Sequence, residues 1–276
     1  MRGPDHRPLP LESEIVYGPL FSRRLGISLG INLLPKCKKV CSFDCVYCHY
    51  GPTDVWLAPP GAVDRAACAA HGPATASDAD FPSVHEVVRA LEPALRRHAD
   101  ITSLTFSGNG EPTLHPYFAE VVFEVRRLRD RLRPEARLTL FSNASTVVCP
   151  AVRAVLQTIE QPVLKLDAGD PVTFANVNRP AAGIDLDAII AQMAMIAHLT
   201  LQTVFIDGLV SNVRGDAFEA WLAALAAIRP VQAQIYSTDY PVPDGSLQRV
   251  PPFVLRELAS RAKARTGVEV QAYWIS

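Results

Sequence analysis

Apolar positions along the chain recur in two alternating rhythms. Between residues 84 and 98 they fall at Val84, Val87, Val88, Leu91 and Leu95, the stripe of a helix with one buried face. Ser83 ahead of this run and Glu86 three residues later predict a capping box. Similar spacing predicts helices over Tyr117–Leu132, Ala151–Ile159, Asp185–His198, Ala217–Ile228 and Pro252–Arg265. Short β-branched or aromatic runs separate them. These predict strands over Leu25–Leu34, Ile101–Phe106, Arg137–Phe141, Pro162–Leu166, Leu201–Ile206 and Val231–Tyr236, and a last strand over Val268–Trp274.

Strand and helix alternate about six times, which requires parallel strands joined by helical crossovers. The expected fold class is α/β: a partial (β/α)6 TIM-like barrel with parallel strands, plus a C-terminal strand. We expect one domain over residues 1–276, with its core at about 17–240. Chemistry in such a barrel gathers at the C-terminal ends of the strands. Polar or Gly-rich segments stand there, including Ser107–Pro112, Ser142-Asn143, Asp167–Asp170 and Asp207-Gly208. Residues 52–82 are rich in Ala, Gly, Pro and Asp, show little period, and are read as a lid or insertion.

Composition narrows the class. Of 276 residues, 49% are hydrophobic and 20% charged, which excludes wholesale disorder. The net charge of −1 provides no global basic field for nucleic acid. The N-terminal run has no apolar h-region, which argues against a signal peptide. The longest apolar stretch is interrupted by Gln192, His198, Gln202 and Asp207. No membrane association is therefore expected, and the expected location is cytoplasmic.

Six cysteines are present, and four crowd together as Cys37, Cys41, Cys45 and Cys48. Clustered thiols without an export signal read as metal ligands. Thiolates favour zinc, copper(I) and iron–sulfur clusters. Three cysteines in the spacing Cys41-x3-Cys45-x2-Cys48 can wrap one corner of a [4Fe–4S] cubane and leave its fourth iron open to a small molecule. The competing reading closes the site with Cys37, giving a four-cysteine electron carrier or a zinc site. Cys68 is read as a lid thiol and Cys149 as an ordinary buried one.

Cys41-Ser42-Phe43-Asp44-Cys45-Val46-Tyr47-Cys48 resembles the cluster motif of the radical S-adenosylmethionine (SAM) superfamily. Ser107-Gly108-Asn109-Gly110-Glu111-Pro112 resembles that superfamily's Gly-Gly-Glu motif, with Asn109 in the middle position. Tyr17–Gly26, the run through His115-Pro116, and Lys165-Leu166-Asp167-Ala168-Gly169 resemble the branch containing tRNA wyosine-base synthases and related iron–sulfur oxidoreductases. The resemblance implies two cofactors, a [4Fe–4S] cluster on Cys41, Cys45 and Cys48 and S-adenosylmethionine on the open iron. It implies Tyr47 near the adenine. Gly108, Asn109, Gly110 and Glu111 would hold the methionine ammonium, and Ser142 and Asn143 the ribose or carboxylate. A 5′-deoxyadenosyl radical would then take hydrogen from a substrate, with a small molecule, a peptide and tRNA all open. The electron donor would be flavodoxin or ferredoxin, and Lys36, Lys38 and Lys39 are charges that could attract an acidic donor.

Lys165 and Asp167 are candidate catalytic residues. Alternation on a strand puts them on one face. An interior lysine can form a Schiff base with a carbonyl, pair with a carboxylate, or simply salt-bridge Asp167. Arg179 could bind a substrate anion or lie on a surface loop. Gln202 and Tyr236 are candidate interior polar residues. Arg126, Arg127, Arg129, Arg131 and Arg133 form a basic helix end, read as a solvated face, a complement to the helix dipole, or an RNA patch.

Overall fold

The computed structural model describes residues 7–22, 24–58, 81–238 and 242–274. The described residues fall into two compact units, those within 11–42 and 53–162, and those within 1–10, 43–52 and 163–276. Most of the expected lid, together with Cys68, Arg23 and Asp239, lies outside the described residues.

The first unit carries β1 (Val16–Ser22), β2 (Gly26–Ile31), the short pair β3 (Val40–Cys41) and β4 (Val55–Trp56), α1 (Val84–Arg97), β5 (Ser103–Phe106), α2 (Phe118–Leu132), β6 (Arg137–Ser142) and α3 (Pro150–Leu156). Strands β2, β5 and β6 are parallel, in the register Ile31 opposite Phe106 and Phe106 opposite Leu140. Strand β1 departs from the expected parallel pattern and runs antiparallel to β2. Only three residues separate the two strands, too few for the crossover that parallel pairing needs. Pro19 has no N–H to donate and is tolerated on such an edge strand.

The capping box forms as expected. Ser83 Oγ accepts from the Glu86 N–H at 3.3 Å, and the Glu86 carboxylate accepts from the Ser83 N–H at 2.8 Å. Val87, Leu91 and Leu95 of α1, and Val121, Val122, Val125 and Leu128 of α2, are buried, as are Leu104 and Phe106 of β5 and Leu138 and Leu140 of β6. Full burial of each such side chain is worth about 1.5–3 kcal/mol.

The second unit continues with β7 (Gln161–Lys165), which begins at the end of the first unit, then α4 (Pro171–Val177), α5 (Leu186–Met193), β8 (Thr200–Val204), β9 (Ile206–Gly208), α6 (Gly215–Ile228), β10 (Gln232–Tyr236), β11 (Leu247–Arg249), α7 (Pro252–Thr266) and β12 (Val270–Tyr273). Strands β7, β8, β10 and β12 are parallel neighbours. The expected strand Leu201–Ile206 divides at Phe205, and β9 pairs with β11 instead. Trp221 on α6 stacks on Phe218 and meets Phe205 edge-on at 5.1 Å. Its buried indole N–H donates to Leu166 O at 3.2 Å and Thr203 Oγ1 at 3.1 Å, so the ring is packed without an unpaired donor.

Among the described residues, the first unit thus carries the parallel strands β2, β5 and β6, and the second the parallel strands β7, β8, β10 and β12. The fold class is α/β as expected.

Candidate functional site

In the first unit, the polar segments after β2, β5 and β6 converge on the chain at Cys41. Gly110 makes that approach possible. A Cβ there would lie 1.8 Å from Val40 O, and its φ of +134° also favours glycine. Val40 N–H donates to Asn109 O at 2.9 Å, and Glu111 N–H donates to Val40 O at 3.0 Å. The Asn109 side chain is fully buried. It accepts from Glu12 N–H at 2.7 Å and donates to Glu12 O and Pro35 O at 2.9 and 3.0 Å. The Asn109 side chain therefore ties three loops together and leaves its backbone carbonyl facing β3.

Glu111 is 1% exposed and both carboxylate oxygens are engaged. One accepts from Thr113 N–H at 3.1 Å and Thr113 Oγ1 at 2.5 Å, the other from Asn143 N–H at 2.6 Å. Burial raises its pKa against the lowering effect of these bonds. Ser142 Oγ accepts from Ala144 N–H at 3.0 Å. The Asn143 side-chain amide donates to Ser42 Oγ at 2.9 Å and to Cys41 Sγ at 3.5 Å. Ser42 Oγ in turn lies 2.6 Å from Ser145 Oγ. Asn143 thus faces a motif cysteine directly.

In the second unit, Cys45, Tyr47 and Cys48 follow Phe43, which packs edge-on against Phe174 at 5.3 Å. Backbone bonds from Asp44 to Asn178 O, and from Val46 to Val177 O, hold this segment to the end of α4. The Asn178 side-chain amide donates to Cys45 Sγ at 3.4 Å and to Asp167 Oδ2 at 2.8 Å. Burial pushes the Cys45 thiol up to about 11, and Asp167 adds to the rise. The Tyr47 hydroxyl donates to the same Asp167 oxygen, and burial followed by that carboxylate raises its pKa. Asp167 Oδ1 accepts from Val204 N–H at 2.8 Å.

Lys165 Nζ lies 3.3 Å from Asp167 Oδ1 and sits over the Tyr47 and Tyr236 rings at 4.8 and 5.4 Å. It is an ion pair without a hydrogen bond of good geometry. Burial alone would depress the ammonium, but Asp167, Tyr236 and Cys45 outweigh it and the net shift is upward. Strand register places Lys165 beside Gln202, and Gln202 beside Gln234. The Tyr236 hydroxyl donates to Gln202 Oε1 at 3.0 Å, so a polar row crosses β7, β8 and β10.

Sequence reasoning brought out Lys165, Asp167, Gln202 and Tyr236, and the structure gathers them. It also weighed Arg179, which is exposed, and passed over its neighbour Asn178, which is buried against Cys45. A buried asparagine beside an exposed arginine carries no periodic signal that would single it out. Cys37 is exposed. Lys39 is 2% exposed and is withdrawn from any surface patch. Arg129 is likewise buried, paired with Glu160 at 2.8 Å, which removes it from the expected basic face.

Among the described residues, no three His, Cys, Asp or Glu side chains converge on a point where one ion could sit. Cys41 and Cys45 each receive a side-chain amide N–H, the kind of donor that iron–sulfur cluster sulfurs accept.

The chain has the fold of the radical SAM enzymes. A radical SAM methyltransferase from Sphaerobacter thermophilus matches with a TM-score of 0.64 at 15% identity, covering 92% of this chain and 68% of that one. Streptococcus suis SuiB bound to S-adenosylmethionine matches with a TM-score of 0.58 at 12% identity, over 90% and 50% of the two chains. In sequence, the chain is 33% identical over 181 residues to a UPF0026 protein of Methanocaldococcus jannaschii, covering 65% of this chain and 48% of that protein. It is 28% identical over 233 residues to a UPF0026 protein of Synechocystis, covering 83% and 77%. The chain spans less than half the length of the first curated relatives it matches. No family model matches.

Among the described residues, no helix is long and apolar enough to cross a membrane.

Proposed function

We propose that this protein is a cytoplasmic radical SAM enzyme that holds a [4Fe–4S] cluster on Cys41, Cys45 and Cys48 and binds S-adenosylmethionine at its open iron. The observation that carries this reading is the Cys41-x3-Cys45-x2-Cys48 loop on a radical SAM fold, with an asparagine amide on each of the first two sulfurs. When bound, the pair supplies a 5′-deoxyadenosyl radical able to take hydrogen from an unactivated position.

The chain's own residues bind, orient and shield. Asn109 and Gly110 keep β3 and the loop after β5 in contact, which presents Cys41. Gly108 to Glu111 and Ser142-Asn143 form the shelf for the amino-acid end of S-adenosylmethionine. The buried Glu111 carboxylate would supply negative charge for the ammonium. Tyr47, pinned by Asp167, would hold the adenine end of S-adenosylmethionine. Lys165 and Asp167 face the substrate, with Lys165 offering donors to an oxygen of it. A small molecule, a peptide and a tRNA base all remain within this reading. The reductant is flavodoxin or ferredoxin.

The test uses anaerobically reconstituted protein. EPR of the dithionite-reduced form changes on adding S-adenosylmethionine, and 5′-deoxyadenosine accumulates slowly. An unchanged spectrum at full cluster occupancy with no nucleoside product overturns the reading and returns the weight to a closed four-cysteine site.

A further inference from the structure

Two motif sulfurs each have a side-chain amide aimed at them. In the first unit Asn143 Nδ2 lies 3.5 Å from Cys41 Sγ. In the second, Asn178 Nδ2 lies 3.4 Å from Cys45 Sγ. The direction of each amide is fixed by its other bonds. Asn143 Oδ1 accepts from Ser145 N–H at 2.9 Å, which turns the NH2 end toward Cys41 and Ser42. Asn178 Nδ2 also donates to the Asp167 carboxylate at 2.8 Å, a partner that only accepts when ionised. Neither amide can flip without losing a buried bond.

We infer that Asn143 and Asn178 are positioning residues that set the reduction potential of the cluster held by Cys41, Cys45 and Cys48. This rests on the cluster reading above. Reduction adds one electron from an external donor and takes a [4Fe–4S] cluster from the 2+ to the 1+ state. No bond to the protein forms or breaks. The added negative charge spreads onto the sulfurs, and an N–H donor stabilises the more negative state more strongly. Each amide therefore raises the potential and eases loading of the electron from a biological reductant. Because the amides are held in place beforehand, they do not have to reorient when the charge arrives. Asn178 has a second consequence. It shares the Asp167 carboxylate with Tyr47 and Lys165, so the polar cluster of the second unit connects through one amide to Cys45.

The experiment is a mediated redox titration of the reconstituted full chain, followed by EPR without S-adenosylmethionine. Asn143→Leu and Asn178→Leu remove one donor each. Each variant is expected to bind wild-type iron and sulfide. Each should show an about tenfold lower ratio of reduced to oxidised cluster at a fixed potential, equal to about 59 mV for one electron. The double variant should show the product of the two effects. Asn143→Ala removes the same donor without adding charge or bulk, so its potential must fall likewise where the leucine variant misfolds. Normal iron and sulfide with an unmoved potential overturns the inference. Loss of the cluster from a folded variant also overturns it, since the asparagine then only holds the loop. A wild-type protein that binds no iron or sulfide overturns the parent reading, and this inference falls with it.

Discussion

The backbone N–H of Asn143 donates to Glu111 Oε2 at 2.6 Å, so the end of β6 hangs on the carboxylate that follows β5. Thr113 donates to the other oxygen. Truncating Glu111 to alanine leaves the Asn143 and Thr113 donors unmatched in a buried place, at about 1–3 kcal/mol each. Urea denaturation of Glu111→Ala should show a loss of several kcal/mol. A loss below 1 kcal/mol would show that the carboxylate does not organise the shelf.

The same residue has a pH signature. Burial raises the Glu111 pKa in the folded state, so the folded chain binds this proton more tightly than the unfolded one. The resulting contribution is present below the unfolded carboxyl value of about 4.3 and is lost as pH rises through the higher folded value. Glu111→Gln cannot titrate. The wild-type-minus-Gln stability difference should therefore fall as pH rises from 4 through the folded value. A flat difference across that window would contradict the assigned shift.

Arg129 makes a third test. Arg129 is 5% exposed, and its guanidinium pairs with Glu160 at 2.8 Å and also donates to Ala136 O. Glu160 accepts from Leu138 N–H at 3.0 Å, so the pair anchors β6 from behind. Arg129→Met leaves a half-buried carboxylate without its main partner and should cost about 2–4 kcal/mol, below the full penalty for a deeply buried pair. Exposed Arg127→Met should change stability by no more than about 0.5 kcal/mol. Equal thermal shifts for the two would mean that Arg129 is no more structural than its neighbour.

Much of this arrangement was legible in residue spacing, and the exceptions have physical causes. The stripe from Val84 to Leu95 and the Ser83–Glu86 pair identified α1 because a single face of it is buried. Strand β1 escaped notice since Gly18 and Pro19 interrupt it and Leu20 and Phe21 point outward, so it lacks an apolar face. Cys41, Cys45 and Cys48 were readable because metal chemistry constrains local spacing. Asn143 and Asn178 reach their sulfurs from 102 and 133 residues away, and no local pattern encodes such a contact. Arg129 looked like part of a charged face because its burial depends on Glu160, on a different element.

Cys37 separates the open-iron reading from a closed four-cysteine site. It is exposed, four positions before Cys41. Cys37→Ser should retain wild-type iron and sulfide after reconstitution. Serine at Cys41, Cys45 or Cys48 should abolish or strongly reduce both. If Cys37→Ser loses the cluster as completely as the others do, the fourth ligand is protein and no iron is open to S-adenosylmethionine.

Lys165 and Asp167 should respond unequally to neutralisation. Lys165→Met leaves Asp167 with donors from Val204 N–H, Asn178 and Tyr47, so the carboxylate stays solvated by the protein. Asp167→Leu leaves a largely buried ammonium without its carboxylate and removes the acceptor for all three donors. Breaking a buried pair in that way costs about 3–5 kcal/mol, and the lysine variant should cost clearly less. The pH dependence follows from the sign of the lysine shift. Its folded pKa is raised, so the stability it contributes is fully present below the unfolded value of about 10.4 and is lost as pH rises through the folded value. Lys165→Met should therefore narrow its deficit against wild type only in the alkaline range above pH 10. Chemical denaturation at pH 7, 9 and 11 measures this. A deficit that is constant across those three values, or an Asp167→Leu variant no less stable than Lys165→Met, would show that the pair is not the coupled buried unit the geometry describes.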